Sequence, residues 1–436
     1  MCGVKSTAST MDTYRQTINQ IYGLQEFAIK LGLTNIKDFA RRLGHPERRY
    51  PVIHLAGTNG KGSTAFFIAS FLQAHGLKVG LYTSPHLKDY RERIRINDRF
   101  IAPEFIIDFW QAHKDYVYKR KATFFDTTTA LGFAYFAQEN VDVAVIETGL
   151  GGRLDSTNIV QPEQVVLTPV DFDHQKQLGN TLTEIASEKA GILKQGAQVF
   201  CAEQIPEARA VFLNRLPDKS RFYYLPDHLD IRLLEQSLDS MTFEIAFKNK
   251  NYDNQIFVSR QVGTFQAQNI ALALLSAQQF LKQRHIKPDF SKIREVLQNK
   301  FWPGRLQTVQ KEPRILFDVS HNLPGLRKTL SFVRQIYPSK AIWLLLGLLE
   351  TKDFKSIVTY LSQQNLNILL TEPNTHKKLS ADVLASEFAR HSVPAQINYD
   401  PVAALQQARS SLSVTQVLLV TGSHYLIGDL MNHLNI

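Results

Sequence analysis

A glycine-rich segment early in the chain carries the strongest chemical signal of the sequence. The apolar run at residues 52–56 leads into residues 57–64, which read GTNGKGST, and a helical pattern starts at Ala65. Glycines let the backbone turn tightly, so that its N–H groups approach an anion, and the helix N-terminus and a lysine add positive charge. This order predicts a loop that binds nucleotide phosphates, although Gly57 and Gly60 are closer together than in the usual phosphate loop. The alternative is an exposed glycine turn.

Polar residues also follow other apolar runs. Residues 78–82 lead into Ser84, and residues 141–146 lead into Glu147 and the glycine-rich sequence TGLGGRLD. The carboxyl ends of parallel strands usually form the ligand crevice, and a carboxylate there can hold a magnesium ion beside phosphates. A solvated carboxylate at a strand end is the alternative for Glu147. A third apolar run precedes the sequence DFDH at residues 171–174. A lone histidine is more often structural than a ligand, so His174 is a candidate ligand only because of the polar residues next to it.

Alternating strands and helices surround these residues. Two helical segments within residues 13–43 come first. The periodicity then predicts strands at 52–56, 78–82, 141–146 and 165–168, helices at 65–75, 181–189 and 266–281, and a small antiparallel β region within 225–258. After the turn FWPGR, strands at 315–317, 342–346, 368–370 and 417–420 alternate with helices at 323–334, 354–361 and 381–390. We therefore expect two domains, at residues 1–302 and 303–436, the second smaller and doubly wound.

Length, composition and charge limit the class of protein. A chain of 436 residues, 44% of them hydrophobic, is long enough for more than one core. The net charge of +10 favours anionic ligands, but the basic residues are dispersed, so we expect nucleotides rather than nucleic acid. Cys2 and Cys201 are the only cysteines, and no run approaches the ~20 apolar residues of a membrane span. We expect a soluble, cytoplasmic monomer without a signal peptide.

The loop sequence HLAGTNGKGS resembles that of the Mur ligase superfamily, and most closely its folate branch, the dihydrofolate synthase/folylpolyglutamate synthase family. The resemblance covers nearly the whole chain, from the first helices to the sequence TGS at residues 421–423, and rests on several separated motifs in the same order. It implies an α/β fold with a P-loop-type central domain, whose sheet is mostly parallel, and a smaller doubly wound ligase domain at the C-terminus.

By this resemblance, both domains contact ATP, and Lys61, Lys189 and His321 are catalytic. The ATP-binding residues that it implies are Gly57, Thr58, Asn59, Gly60, Lys61, Gly62, Ser63 and Thr64 in the loop, and Asn269, Arg305 and Asp318 further along the chain. Taken singly, the last three could equally be a helix-packing amide, a salt bridge at the domain boundary and part of a turn at a strand end.

The resemblance also implies magnesium ligands and a modified lysine. Ser84, Glu147 and His174 correspond to the magnesium ligands of the family. Lys189, in the sequence EKAG, matches a lysine that these enzymes carry as a carbamate, which gives it negative charge. The alternative is an unmodified lysine, because a cation is favoured at a helix C-terminus.

A further set of positions matches the dihydropteroate site of bifunctional bacterial enzymes. It comprises Ile29, Lys30 and Leu31, then Thr123, Phe124, Phe125 and Asp126, and finally Leu154, Asp155 and Ser156. Asp126 stands where a glutamate is more usual, and the sequence DFDHQKQ at residues 171–177 departs from the commoner form around its histidine. These departures concern the details of the pocket more than the chemistry.

The activity that the resemblance implies is ATP-dependent amide formation in folate biosynthesis. The γ-phosphoryl group of ATP moves to a dihydropteroate or folate carboxylate, and the α-amine of L-glutamate then displaces phosphate, while magnesium screens the charge. The alternatives are a folylpolyglutamate synthase alone, another Mur-type amino-acid ligase, a phosphotransferase, and a non-enzymatic nucleotide-gated binding module. A ligase for peptidoglycan precursors would need a UDP-sugar-binding segment.

Overall fold

The computed structural model describes residues 7–24, 32–249, 252–339 and 341–436. Ile29, Lys30 and Leu31, which we predicted to contact a pterin, lie outside the described residues. The strands are β1 (Val52–Ala56), β2 (Val79–Tyr82), β3 (Ile94–Ile96), β4 (Arg99–Phe100), β5 (Val143–Glu147), β6 (Gln164–Leu167), β7 (Gln198–Cys201), β8 (Phe222–Tyr224), β9 (Leu229–Gln236), β10 (Met241–Phe247), β11 (Gln255–Ser259), β12 (Gln307–Gln310), β13 (Arg314–Phe317), β14 (Ile342–Leu346), β15 (Leu366–Leu370), β16 (Ala395–Ile397) and β17 (Val417–Thr421).

The α-helices complete the alternating pattern. They are α1 (Thr7–Gly23), α2 (Thr34–Arg42), α3 (Lys61–Ala74), α4 (Pro103–Arg120), α5 (Phe124–Gln138), α6 (Gln175–Leu178), α7 (Leu182–Ala190), α8 (Pro206–Arg215), α9 (Leu225–His228), α10 (Thr264–Gln283), α11 (Phe290–Asn299), α12 (Leu323–Ile336), α13 (Phe354–Ser362), α14 (Ala381–Arg390), α15 (Pro401–Ser411) and α16 (His424–Leu434). None of these described helices has the length and hydropathy that crossing a membrane requires.

Two compact units divide the chain, and each is assembled from separated segments. The first unit comprises Met1–Val170, Leu182–Asp227 and Leu272–Lys292, and the second comprises Asp171–Thr181, His228–Ala271 and Ile293–Ile436. The short segment 171–181, which carries His174, therefore groups with the C-terminal part of the chain and not with the strand before it.

The first unit contains an eight-stranded sheet in the order β4-β3-β2-β5-β1-β6-β7-β8. Only the pairs β2–β3 and β3–β4 are antiparallel. β1 and β5 are buried at every position, and a strand that is buried on both faces reads as a continuous apolar run. The sheet of the first unit is therefore mostly parallel, as the sequence analysis predicts.

The helices of the first unit share a core with this sheet. Phe39 of α2, Trp110 of α4 and Phe133 of α5 are almost fully buried and belong to one hydrophobic cluster with residues of β2 and β5. α3 is also buried over most of its length. It begins at Lys61 rather than at Ala65, because Gly60 takes a left-handed φ of 90° and the chain enters the helix directly after it.

The second unit contains two sheets. The larger has six strands in the order β12-β13-β17-β14-β15-β16 and is parallel except for the pair β12–β13. The smaller is the predicted antiparallel β region and has the order β11-β10-β9. β14 and α14 have the predicted bounds. The sequence does not predict the edge strands β12 and β16, because they are short and only half buried and so carry little periodicity.

Candidate active site

Four neighbouring strands of the first unit end at the same edge of the sheet. β2, β5, β1 and β6 lie side by side and run parallel, so the residues that follow them meet at their carboxyl ends. Ser84 follows β2, Glu147 ends β5, Gly57 follows β1, and Thr168 follows β6. The phosphate loop, residues 57–64, therefore starts between a carboxylate on one side and a threonine on the other.

Close contact with the segment after β6 shapes the phosphate loop. Gly57 has a φ of 154°, and a Cβ at this position would lie 1.9 Å from Thr168 Oγ1 and 2.8 Å from the Thr168 carbonyl oxygen. Thr58 N–H donates to Pro169 O at 2.9 Å. Only glycine permits this approach, which fixes the path of the loop into α3 and directs the N-terminus of that helix toward it.

Two lysine side chains lie against the phosphate loop. Lys61 Nζ donates to Gly57 O and to Thr58 O, both at 3.2 Å. Lys189, in the last turn of α7, is 4% exposed, and its Nζ donates to Gly57 O at 2.7 Å. The structure thus brings two of the three predicted catalytic residues to one carbonyl group. The charge of Lys61 makes the loop suitable for binding phosphate oxygens.

The first unit also brings together two of the three predicted magnesium ligands. Ser84 N–H donates to Glu147 Oε2 at 3.1 Å, and Glu147 is buried. A carboxylate and a hydroxyl are oxygen donors that suit a hard cation, so these two residues fit Mg²⁺. The third predicted ligand, His174, belongs to the second unit. Across the described ranges, no group of three or more His, Cys, Asp or Glu side chains is arranged to hold a metal ion.

The glycine-rich loop after β5 packs closely against two helices. A Cβ on Gly149 would lie 2.4 Å from Phe125 Cζ, at the start of α5. A Cβ on Gly152 would lie 2.9 Å from the carbonyl oxygen of Glu188, in α7. These contacts leave no room for a side chain at either glycine without a shift of the helices, so they fix the loop next to the helix that carries Lys189.

A chain of buried hydrogen bonds links this loop to β1. Asp155 Oδ1 accepts from the Thr157 N–H at 3.0 Å and from the Thr157 hydroxyl, and Asp155 Oδ2 accepts from Leu150 N–H at 2.8 Å. Since Thr157 Oγ1 donates to Asp155, it accepts from His54 Nε2–H, 2.8 Å away. Burial raises the pKa of Asp155 above its usual value and lowers the pKa of His54 to about 3. His54 is therefore neutral.

Two of the predicted pterin-binding segments meet in the first unit. Asp126 Oδ2 accepts from Thr123 N–H at 3.0 Å and from its hydroxyl at 2.9 Å, and Thr123 Oγ1 accepts from Asp126 N–H, which caps α5. Ser156 Oγ donates to Asp126 Oδ1 at 2.7 Å. Phe124 stacks on Tyr22, with 5.9 Å between the ring centroids. Asp126 thus organises the segment that we predicted to line the pocket.

His86 is a half-buried residue beside this segment, in contact with Tyr22, that sequence reasoning did not select. Arg93 Nε donates to His86 Nδ1 at 2.8 Å, so His86 Nε2–H donates to the hydroxyl oxygen of Tyr22 at 3.1 Å. Burial and the charge of Arg93 lower the pKa of His86 to about 3. His86 could have been identified from the sequence by its position after β2, at the same sheet edge as Ser84.

In the second unit, five polar residues form what we call the Asp173 cluster: Asp173, His174, His321, Asn322 and Lys352. Asp173 Oδ1 accepts from Lys352 Nζ, and Asp173 Oδ2 accepts from Asn322 Nδ2, both at 2.9 Å. His174 Nε2 lies 3.3 Å from Lys352 Nζ, and His321 Nε2 lies 3.6 Å from Asp173 Oδ2. A predicted metal ligand and a predicted catalytic residue thus meet around one carboxylate.

Charge and burial determine the protonation of the Asp173 cluster. The side chains of Asp173 and Lys352 are 10% and 6% exposed. Burial alone would raise the pKa of Asp173, but its contact with His321 and the charge of Lys352 outweigh this, so the pKa lies far below its usual value. Burial and Lys352 lower the pKa of His321, and its Nδ1 lies 2.9 Å from Val319 O. The cluster therefore holds an ionised carboxylate in contact with Lys352, Asn322 and His321.

The predicted ATP contacts outside the phosphate loop belong to the second unit. Asp318 is buried: its Oδ2 accepts from Leu306 N–H at 3.0 Å, and its Oδ1 accepts from Ser320 N–H and from the Thr329 hydroxyl. Arg305 lies 3.5 Å from His424 Nε2 through one guanidinium nitrogen. Asn269 Nδ2 donates to Gln266 Oε1 at 3.0 Å. Asp318 thus holds the turn that carries Arg305.

Sequence reasoning missed Lys352 and Asn322 as site residues. Asn322 follows β13 and Lys352 follows β14, two parallel strands of the second sheet. The rule that selected Ser84 and Glu147, polar residues just beyond the carboxyl end of a parallel strand, also applies to these two positions. The signal was therefore present in the sequence.

Comparisons with known proteins agree with this geometry. The Mur ligase middle domain matches residues 55–277, and the domain described as "Mur ligase, glutamate ligase domain" matches residues 304–424. The chain is 33% identical to the dihydrofolate synthase/folylpolyglutamate synthase of Bacillus subtilis (strain 168), over 97% of this chain and 99% of that protein.

Two solved structures share the fold. Mycobacterium tuberculosis folylpolyglutamate synthase complexed with ADP has a TM-score of 0.87 at 25% identity, over 98% of this chain and 99% of that chain. A structure described as an FPGS–AMPPCP–folate complex has a TM-score of 0.80 at 30% identity, over 97% and 99%. The fold, the phosphate loop and these matches define an ATP-dependent ligase. The chain belongs to the Mur ligase family, in its dihydrofolate synthase/folylpolyglutamate synthase branch.

Proposed function

We propose that this ligase joins the carboxylate of dihydropteroate or of a reduced folate to the α-amine of L-glutamate, and so acts in folate metabolism. The main support for the proposal is the phosphate loop, which lies beside the Ser84–Glu147 pair. The chain that carries this site is similar over 97% of its length to a dihydrofolate synthase/folylpolyglutamate synthase. A relative described as bound to AMPPCP and folate together supports the choice of substrates.

The reaction has two steps with no covalent bond to the enzyme. A carboxylate oxygen of the acceptor attacks the γ-phosphorus of ATP, the bond to the bridging oxygen breaks, and ADP leaves. The glutamate nitrogen then attacks the acyl carbon, a C–N bond forms, the C–O bond to phosphate breaks, and phosphate and a proton are released. Lys61 and the N-terminus of α3 would bind the phosphate oxygens and stabilise the charge that develops on them.

Ser84, Glu147 and His174 would hold Mg²⁺ in this enzyme. The hydroxyl and carboxylate oxygens of the first two suit the ion, and Ser84 N–H already orients Glu147 Oε2. Bound there, magnesium would neutralise part of the charge on the phosphates and on the incoming carboxylate. The role of Glu147 in this step is to keep a buried negative charge at the sheet edge that the phosphate loop shares.

Lys189 would carry a carbamate in the active enzyme. Its buried Nζ lies 2.7 Å from Gly57 O, and a carbamate keeps one N–H that can still donate to this carbonyl while it adds a negative charge. We expect the enzyme in ¹³C-bicarbonate to show a protein-bound carbamate signal by NMR, and we expect the Lys189→Arg variant to lack it. An identical spectrum for both proteins would leave Lys189 as an ammonium group.

Four residues of the second unit complete the proposed ATP and catalytic set. Asn269 would contact the adenine, Arg305 and Asp318 would contact the nucleotide, and His321 would act near the transferring phosphoryl group. The resemblance to the family supports these roles. Because Asp318 accepts three hydrogen bonds within its own unit, we expect Asp318→Asn to weaken ATP binding mainly by displacing the turn that carries Arg305.

A phosphate-release assay tests the proposed function. The purified enzyme receives Mg-ATP and L-glutamate with either dihydropteroate or tetrahydrofolate as the acceptor. Release with both acceptors supports both activities, and release with tetrahydrofolate alone supports the alternative, a folylpolyglutamate synthase. We expect Lys61→Ala to lower the rate by about 10²–10³-fold, because it removes one donor to the phosphates. No release with either acceptor, from protein that still binds ATP, would refute the folate assignment.

We further propose that the enzyme works as a monomer in the cytoplasm. Cys201 is a buried free thiol, which suits a reducing compartment. Light scattering after gel filtration should give the mass of a single chain, and a stable dimer would contradict this.

A further inference from the structure

A short turn in the first unit, residues 155–158 with the sequence DSTN, contacts several elements around the candidate active site, and its four side chains are buried. Asp155 Oδ2 accepts from Leu150 N–H, in the glycine-rich loop after β5, at 2.8 Å. Ser156 Oγ donates at 2.7 Å to Asp126 Oδ1, in the first turn of α5. The 155–158 turn thus joins the glycine-rich loop to a segment that we predict to bind the pterin.

The other two residues of the 155–158 turn contact the end of α7 and β1. Asn158 Nδ2 donates at 3.0 Å to the carbonyl oxygen of Gly191, which directly follows α7. Thr157 Oγ1 accepts from His54 Nε2–H at 2.8 Å. His54 belongs to β1, the strand that leads into the phosphate loop. Its hydrogen bond therefore connects the turn to the strand that carries the phosphate loop.

Packing alone does not account for a histidine in β1. The strand has the sequence VIHLA, and all five residues are buried. An aliphatic residue would fill the place of His54 without a polar atom to satisfy. His54 Nδ1, by contrast, has no hydrogen-bond partner among the described residues, and an unpaired polar atom in a protein interior costs free energy. The hydrogen bond to Thr157 is the feature that only a polar side chain supplies here.

We propose that His54 is a positioning residue that acts through Thr157 and the 155–158 turn. By holding the turn, it sets the distance between the phosphate loop and the acceptor segment, residues 123–126, an inference that rests on the proposed function. The attacking carboxylate must lie in line with the γ-phosphate, and a displacement of about 1 Å can lower a rate about 10²-fold. Because His54 is fully buried, it acts through the turn and not by contact with a substrate.

Steady-state kinetics and ATP binding test this role in the full-length enzyme. His54→Leu removes the donor to Thr157 and keeps a buried side chain, whereas His54→Gln keeps an N–H donor. We expect His54→Leu to lower kcat about 10–10²-fold with either acceptor while ATP affinity stays unchanged, and we expect His54→Gln to restore most of kcat.

His75 provides a matched control in the first unit. It lies at the opposite end of α3 from the phosphate loop, with its Nδ1 2.7 Å from Phe71 O, and its Nε2 accepts from Asp289 N–H at 2.9 Å. His75→Leu therefore also removes the hydrogen bonds of a histidine, but none of them involves the 155–158 turn. Its kcat should equal that of the unaltered enzyme.

The pattern across the variants separates positioning from other roles. Weaker ATP binding that accounts for the slow rate of His54→Leu would overturn the proposal, because His54 would then act on the phosphate loop itself. An unchanged kcat for His54→Leu, or a kcat for His54→Gln as low as that of His54→Leu, would also overturn it. Should His54→Leu fail to fold, Thr157→Val tests the same hydrogen bond from its other side, with Thr157→Ser as the rescue, and the same outcomes decide.

Hydrogen exchange followed by mass spectrometry tests the contact without turnover. We expect the peptide of residues 148–158 to exchange about tenfold faster in His54→Leu than in the unaltered enzyme, and the phosphate loop to exchange equally in both. Equal exchange of residues 148–158 would overturn the proposal. Faster exchange in the variant, with no turnover of any acceptor by the unaltered enzyme, would refute the proposed function but support the hold of His54 on the turn.

Discussion

The phosphate loop and the Asp173 cluster are both polar sites at the carboxyl ends of parallel strands, but they are built in different ways. Backbone geometry fixes the phosphate loop: Gly57 packs against Thr168 too closely for a Cβ, and carbonyl oxygens hold the two lysines. Side-chain charge holds the Asp173 cluster, where a buried carboxylate joins Lys352 and Asn322. One site depends on shape and the other on ionisation.

This difference separates two requirements of the reaction. A site for ATP phosphates gains from rigid N–H groups and needs no rearrangement as the phosphoryl group leaves. A cluster of titratable side chains can change its hydrogen bonds when substrates arrive, but each group depends on its partner for stability. Mutations should therefore affect the two sites through different measurable properties.

The largest effect on stability should come from breaking the ion pair of the Asp173 cluster. Asp173→Asn leaves the buried ammonium of Lys352 without its counter-charge, so we expect the free energy of unfolding to fall by about 3–5 kcal/mol. Urea denaturation measures this change. Asp230→Asn is the matched control, because it breaks the exposed pair with Lys248, and it should cost less than about 1 kcal/mol. If both variants lost the same free energy of unfolding, the buried pair would stabilise the protein no more than the exposed pair does.

A smaller change in stability but a large loss of binding should follow from Gly57→Ala. The added methyl group would clash with Thr168, so the loop must move, and we expect ATP affinity to fall by about 10²-fold with 1–3 kcal/mol lost in stability. Titration with a fluorescent ATP analogue measures the affinity. Gly23→Ala, where a Cβ meets no atom within 4 Å, should bind normally. Normal ATP binding by Gly57→Ala would show that the loop is not rigid.

The smallest effect concerns pH and the region behind the phosphate loop. The pKa of His54 is lowered to about 3, whereas the unfolded chain takes up this proton near pH 6.5. The stability that the neutral ring provides is therefore complete above pH 6.5 and is lost as pH falls, by about 1 kcal/mol between pH 6.5 and 5.5. His54→Gln keeps a donor for Thr157 and cannot titrate, so its stability should fall less over this interval. Parallel curves for the two proteins would contradict a neutral buried His54.

The sequence predicts the phosphate-loop region better than the Asp173 cluster. Glycine and lysine spacing between a buried strand and a helix is a local pattern, so Gly57 to Thr64 could be identified without tertiary information. The meeting of Asp173 with Lys352 depends on contacts between residues that lie far apart in the chain. Nothing local indicates that the segment 171–181 groups with the C-terminal part of the chain. The roles of Ser84, His174, Asn269 and Asp318 stay predictions.

Isotope transfer into the product is the most direct test of the central claim, that this enzyme makes an amide through an acyl phosphate. An acceptor with ¹⁸O in its carboxylate is incubated with Mg-ATP and ¹⁵N-glutamate, and the products are analysed by mass spectrometry. The account predicts that ¹⁵N appears in the extended acceptor and that one ¹⁸O appears in the released phosphate, because the carboxylate oxygen attacks phosphorus. Labelled amide with unlabelled phosphate, or phosphate release without amide, would contradict it.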